Sequence, residues 1–543
     1  MTSDPRVFLT LDLGAATTAA ALIGRLQGQW RLLGSLAMPA TSDPEPMLDL
    51  LLARLREASP QIVEELAIPA RASAIGRLVA RTAPRGLLAV LAPTNARRDS
   101  LAAAADRAGW RVRPASLEHG DLLKLVDAAL APGVDAALIG CADPPLGDER
   151  RRLEELNLVA DAIAERRPGL PLVLSGAVAA SGGQSGTTES NAEAAPARPA
   201  PERLFAPAPN AGDPPGAPLT IFLGGLRARP DDGRQGIAQA TKSLAAVVDR
   251  RVEALEIGLD GGLRAAAWPS AGEPSGAGSL ASESAAAALF PPEPDEATVD
   301  AVLAWSTLPL DRTRLRDRLR ELRFRPWADA QGDGALLRLA AARVAVSRLI
   351  DATPAISALP PADLVVATGG VWSSGPAPAI ALALADIRRR SGAAQLAIDH
   401  ARLLGPLGTL DDDGERRQLI DDLLDEVLLP VGSVVVAQGL KGGRPIGRIA
   451  VRSDGRSQER ELVPGGLEIV DVPPGQLASA ELEFREPVTV GTRGRKFGIE
   501  VSGGLAGLIV DLRDVPLRLP EGSDRRRDQL AEWQRSLWPD LEA

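Results

Sequence analysis

The stretch Leu9–Gly24, LTLDLGAATTAAALIG, limits what this chain can fold into more than any other. An apolar run ends in Asp12-Leu13-Gly14, the chain turns, and a second apolar run starts at Thr17-Thr18. Two β-type runs joined by a glycine-bearing turn read as a hairpin. GRLQGQ turns the chain again, so strands are expected over 7–13, 18–24 and 30–38. A similar pattern returns in EALEIGLDGGLRAAAW, with Glu256, Gly258, Asp260, Gly261 and Gly262 around the turn, and suggests an internal duplication. A third glycine turn, Thr368-Gly369-Gly370, follows the buried-strand run DLVVA. Such turns admit two readings. One is an ordinary polar hairpin whose glycines allow positive φ. In the other, backbone N–H groups and the Thr17 and Thr18 hydroxyls hold phosphate oxygens. Asp12 would then hold hydrated Mg²⁺, and the second hairpin would face the first across a cleft.

A helix is expected over 44–58, with Met47, Leu48, Leu51, Leu52 and Leu55 on its apolar side. Three strands and a helix open a ribonuclease-H-like half-domain. From 86 to 178 strands and helices alternate, which argues for a parallel sheet covered on both faces. Ser100 is read as the cap of the first of these helices, and LTIFLGGL further on as a strand. Residues 181–217 carry few large apolar side chains and read as a disordered linker, and 269–286 as a second flexible stretch. Helices are expected near 237–250, 311–322, 334–350, 376–389 and 414–427. From Pro430 short apolar runs alternate with Gly, Pro and charge, the mark of a β domain over about 431–520. A last helix carries Leu530, Trp533 and Leu537 at helical spacing. The expected organisation is a first lobe over 1–180 with an α/β insertion from about 67, the linker, a second lobe over 218–430, the β domain, and a helix within 521–543.

Composition excludes several classes. The net charge of −10 argues against nucleic acid and acidic lipid surfaces as partners. A single cysteine, Cys141, rules out a disulfide within the chain and fits a reducing compartment. The N-terminus lacks the pattern of a signal peptide, and no apolar run reaches the ~18 residues of a membrane span, so a cytoplasmic location is the expectation. Two histidines, His119 and His400, far apart in sequence, make His-rich metal sites and Ser-His-Asp catalysis poor candidates. Asp143, in LIGCADPP, follows a parallel strand at the end where ligands usually bind, although a loop carboxylate is the simpler reading. Cys141 reads as a small buried residue, His400 as structural, TRGRKFG as a solvated basic hairpin and DDDGER as a helix N-terminus.

The three glycine turns, in order within two β-rich halves, resemble the actin, Hsp70 and sugar-kinase superfamily. A narrower resemblance is to the glutamate mutase L (MutL) family. The tail SGGLAGLIVDLRDVPLRLPEGSDRRRDQLAEWQRSL carries it best, with RASAIGRL, DAALIGCADPP, LPLVLSGAVA, LGPLGTL and LLPVGSVVV in support. The resemblance implies a two-lobed actin-like α/β core, ATP and Mg²⁺ as cofactors, and a chaperone or reactivating role beside an adenosylcobalamin-dependent mutase subunit. It would give Asp12 the metal, Thr17 and Thr18 the phosphates, Glu256 and Asp260 a second metal or water contact, Gly369-Gly370 the adenosine side, and Gly14 and Gly258 further contacts to the cofactor. Asp143 would stand at the end of a family G-G-T-D segment. The departures fall on the chemistry. Ala19 and Ala20 stand where the family has a lysine, and the second hairpin lacks the family's threonines and closing aspartate. Weak or lost ATP hydrolysis is therefore expected, with a non-enzymatic pseudo-ATPase scaffold and a small-molecule kinase as alternatives.

Overall fold

The computed structural model describes residues 6–41, 43–82, 86–118, 121–145, 147–182, 203–208, 217–226, 232–270, 278–329, 332–387, 390–441, 445–513 and 515–537. The chain forms two compact units, one of Met1–Ala83, Pro230–Ser282 and Ala287–Ala543, the other of Pro84–Arg229 and Glu283–Ala286.

The first unit opens with β1 (Val7–Leu13), β2 (Thr17–Leu26) and β3 (Gln29–Pro39), joined as antiparallel neighbours. β4 (Arg77–Arg81) lies parallel to β1, giving the order β3-β2-β1-β4. The side-chain period of two divides this sheet. Leu9, Leu11, Ala20 and Leu22 meet Met47, Leu48, Leu51 and Leu52 of the helix Glu45–Ala58. On the other face Phe8, Ala21 and Ile23 join a core shared with the second lobe.

The second unit is a parallel sheet of β5 (Leu87–Ala92), β6 (Arg111–Ser116), β7 (Val134–Gly140), β8 (Leu172–Ser175) and β9 (Arg203–Ala206), in the order β6-β5-β7-β8-β9. Apolar clusters cover both faces, as expected for continuous runs such as LLAVLA. Two local expectations are corrected here. The helix Asn95–Arg107 is capped by Thr94, whose side chain accepts from the Arg97 N–H, and not by Ser100. LTIFLGGL lies within the helix Pro218–Gly225, with Leu219 and Leu223 buried one turn apart. A short unbroken apolar run carries no period, and Pro at the first turn favours the helix. Within 181–217, Arg203–Ala206 is β9, while 183–202 and 209–216 lie outside the described residues.

The first unit resumes with the helix Gly233–Val248 and then repeats its opening pattern. β10 (Val252–Ile257) and β11 (Gly262–Pro269) form an antiparallel hairpin with β12 (Gly278–Ala285) beside it, and β13 (Leu364–Thr368) lies parallel to β10. β12 falls in the stretch expected to be flexible, of which 271–277 lie outside the described residues. β14 (Gly392–Asp399) continues the sheet in parallel and β15 (Leu428–Val436) antiparallel. The C-terminal β region contains β16 (Gly447–Ser453), β17 (Arg456–Leu462), β18 (Leu467–Val470), β19 (Leu477–Val490), β20 (Thr492–Ser502) and β21 (Leu508–Asp511). β21 and β18 extend the large sheet beyond β15. The other four form an antiparallel sheet, β17-β16-β19-β20. Its inner residues, among them Ile449, Leu482 and Phe484, pack on Val435 and Val510 of the large sheet. This is a two-lobed actin-like α/β fold with an inserted parallel α/β unit and a C-terminal β region.

Within the second lobe the helix Gly233–Val248 crosses the short helix Leu404–Gly408, and both pack into the core shared with the first lobe. A Cβ on Gly408 would lie 1.7 Å from the Gly236 carbonyl oxygen, and one on Gly236 2.3 Å from that of Gly405. Only residues without a side chain allow this backbone approach.

Candidate functional site

The strand alternation that builds the first lobe also sets the crevice between the lobes. Thr17 shares the inter-lobe face of β2 with Ala21 and Ile23, and lines the crevice together with Asp12 and Gly14. Thr18 is one residue out of phase, shares the face of Ala20 and Leu22, and is not among the crevice-lining residues. The Gly14 N–H donates to the Thr17 carbonyl at 2.9 Å and closes the turn. Across the crevice the second hairpin closes in the same way, Gly258 N–H to the Gly261 carbonyl at 2.8 Å, and supplies Glu256, Gly258 and Asp260. Gly369 and Gly370 line it from a third side. Gly369 has φ of 101°, a left-handed conformation that favours glycine. A helical turn, Gly370–Ser373, starts directly after it, and the helix expected from about Pro376 follows as Ala377–Ile387. Asp143 belongs to the inserted unit, past the C-terminal end of β7.

Each of the three expected acids has its own arginine, and the sequence reading picked out none of these arginines. Arg402 follows β14 in the second lobe and reaches the first hairpin. Its Nε donates to Asp12 Oδ2 at 2.6 Å, its guanidinium donates to Thr17 Oγ1, and it approaches the Thr17 carbonyl at 3.4 Å. The Arg402 side chain is 4% exposed and its backbone has φ of 56°. A non-glycine residue in that region costs ~1–2 kcal/mol and is held only where its surroundings over-determine it. Arg234 sits in the first turn of the helix capped by Asp232, and donates from Nε to Glu256 Oε2 at 2.9 Å. Burial pushes the Glu256 carboxyl above its ordinary range, against the pull of Arg234. Arg323 holds Asp260 at 2.6 Å. Trp327 closes one side by donating Nε1–H to the Ala16 carbonyl at 3.1 Å. Behind the site, Asp399 accepts from Thr368 Oγ1 at 2.9 Å and from the Leu403 and Leu404 N–H groups at 2.8 and 3.1 Å. Burial raises its carboxyl to about 6.

This arrangement does not fit a magnesium nucleotide. Hydrated Mg²⁺ is held by free carboxylates, whereas Asp12 is already covered by a guanidinium, and a cation there would meet like charge. Among the described residues no group of three or more His, Cys, Asp and Glu is placed to hold a metal. Arg402, Arg234 and Arg323 are balanced by Asp12, Glu256 and Asp260, which leaves no surplus positive charge for a polyphosphate. The crevice spans about 580 Å³ in outline, but only about 40 Å³ of it admits a water-sized group. Ligand pockets usually offer ~300–1,000 Å³.

The signal for these arginines was weak. Arg402 stands in AIDHARL, where His400 drew attention instead; His400 is half-buried, and burial lowers its basicity. Nothing local in the sequence pairs Arg402 with Asp12, 390 positions away.

No protein-family model matches the chain, and no curated protein matches it. Among solved structures, the chain is similar to a Ppx/GppA family member of Aquifex aeolicus at 7% identity and a TM-score of 0.19, over 77% of this chain and 90% of that one. It is also similar to a chain of the PilM-PilN type IV pilus biogenesis complex at 12% identity and a TM-score of 0.23, over 78% and 99%. Likenesses this faint carry no argument about chemistry.

Proposed function

We propose that this chain is an actin-like scaffold that works by binding a partner protein and not by turning over nucleotide. The observation that carries the reading is the pairing of Asp12, Glu256 and Asp260 with Arg402, Arg234 and Arg323. Phosphoryl transfer relies on positioning and charge stabilisation. A cleft whose acids are each neutralised offers neither a metal ligand nor a group to orient water. The partner class comes from the resemblance to the glutamate mutase L family: an adenosylcobalamin-dependent mutase, for which the chain would serve as chaperone or reactivating factor in the cytoplasm.

A second reading keeps a nucleotide. Hairpins one and two and the Gly369-Gly370 turn converge on one crevice. The fold therefore retains the frame of a nucleotide site in which Asp12, Thr17 and the glycine backbones would bind ATP with weak or no hydrolysis.

The test takes the purified chain, a mutase of that class inactivated by turnover, and ATP–Mg²⁺. The scaffold reading expects recovery of mutase activity, or a stable complex on gel filtration, without ATP, and phosphate release at background. Recovery that requires ATP with matching phosphate release would refute it in favour of an ATPase. Neither complex nor recovery would remove the mutase as partner.

A further inference from the structure

Arg402 does something that the frame around it does not require. The fold can close its first hairpin with the Gly14–Thr17 turn alone, yet a side chain from the opposite lobe is driven into it. Three observations show that the contact is built in. The backbone of Arg402 is held at φ of 56°. Its guanidinium is buried and engages Asp12 and both the hydroxyl and the carbonyl of Thr17. Gly14 makes room for it, since a Cβ there would lie 3.0 Å from an Arg402 guanidinium nitrogen. The groups engaged are the carboxylate and the hydroxyl that a metal–phosphate unit would use, and the contact joins the two lobes as such a unit would.

We infer that Arg402 is an internal plug that occupies the place of a metal–phosphate group and bars magnesium nucleotide from a cleft otherwise framed for it. The inference rests on the non-hydrolysing reading above and adds its cause. Two guanidiniums remain beyond the plug, Arg234 on Glu256 and Arg323 on Asp260, and they flank the second hairpin without touching Asp12. Removing Arg402 alone therefore leaves Asp12 as a carboxylate without its cation, facing the opened space.

Arg402→Gly is the suitable variant, because glycine accepts the left-handed backbone without strain and removes the whole side chain. Arg402→Gln is the companion that keeps bulk without charge. Folding of both is checked by circular dichroism. Mg²⁺–ADP and Mg²⁺–ATP are titrated into each by calorimetry, and melting is followed with and without ligand. The expected result is no heat and no melting shift for the wild type up to about 1 mM. Arg402→Gly should bind at least tenfold tighter than that limit, lose the binding in EDTA, and lose it again when combined with Asp12→Ala. Ligand binding to the folded state should raise its melting temperature. Wild-type affinity equal to that of the variant would overturn the plug. So would a folded Arg402→Gly and Arg402→Gln that both bind nothing. Failure of the scaffold reading looks different: the wild type would release phosphate from ATP, whatever the variants do.

Discussion

Replacing Gly408 by alanine tests the close crossing of two second-lobe helices that pack into the core shared by the lobes. The added methyl would lie 1.7 Å from the Gly236 carbonyl oxygen, 2.3 Å from its carbon and 2.7 Å from its Cα. All of these are backbone atoms of the helix Gly233–Val248, so no side chain can swing aside. Cβ atoms essentially never come closer than 3.0 Å to such neighbours, so the helix Leu404–Gly408 must retreat by at least 3.0 − 1.7 = 1.3 Å. That retreat opens a gap under Leu404 and Leu407, both fully buried in the core shared by the lobes. A gap of ~1 Å forfeits up to about half of the contact energy of the atoms lining it. Two leucines, each worth ~1.5–3 kcal/mol when buried, then lose up to ~1.5–3 kcal/mol together. Overpacking strain adds ~1–3 kcal/mol, so the variant should be less stable by ~2.5–6 kcal/mol. Urea titration followed by circular dichroism measures this. With a slope of ~3 kcal/mol per molar, the midpoint should fall by ~1–2 M. Gly498→Ala is the control: its added Cβ meets nothing within 4 Å, and the midpoint should stay near that of the wild type. If Gly408→Ala matches the control to within ~0.2 M, the glycine crossing does not hold this part of the shared core together.

The double change Trp533→Ala with Leu537→Ala should undock the C-terminal helix. Both residues are buried, and the Trp533 ring lies 4.6 Å from the Arg513 guanidinium carbon, which is itself tied to Asp511 and Asp386. A loss of ~4–6 kcal/mol is expected, and an unchanged melting temperature would show that the stripe adds nothing to stability. Asp399 should make stability depend on pH in a set direction. Its carboxyl is raised from 3.8 to about 6 in the folded chain, so between those values the folded state holds the extra proton and stability falls as pH rises. Relative to Asp399→Asn, the wild type should lose about 2 kcal/mol between pH 4 and 6, of about 3 kcal/mol lost over the whole titration. A flat difference curve in denaturant melts at intermediate pH values would contradict this. Trp327→Phe removes the Nε1–H bond to the Ala16 carbonyl and should cost ~1 kcal/mol. It should also speed amide exchange in the first hairpin, and unchanged exchange there would show that the bond does not brace the turn.

Much of the architecture is legible in the chain itself, because strand period, glycine turns and helical stripes are local. Leu9, Leu11, Ala20 and Leu22 alternate and must share a face. Met47, Leu48, Leu51 and Leu52 fall on one side of any helix drawn through them. The glycine turns at 14, 258 and 369 are local as well, and their convergence on one crevice follows from the repeated strand order. LTIFLGGL was not legible, since a short apolar run without alternation suits a strand or a helix until its neighbours choose. The chemistry of the crevice was illegible for a stronger reason. Whether Asp12 is a free carboxylate or half of an ion pair depends on where a residue 390 positions later comes to rest. Glu256 and Asp260 likewise take their state from arginines on other elements, Arg234 and Arg323. The energy of a charge depends on distance and burial, and both are set by tertiary packing. The sequence alone determined the frame of a two-lobed cleft. Only the tertiary structure decided that its acids are already taken.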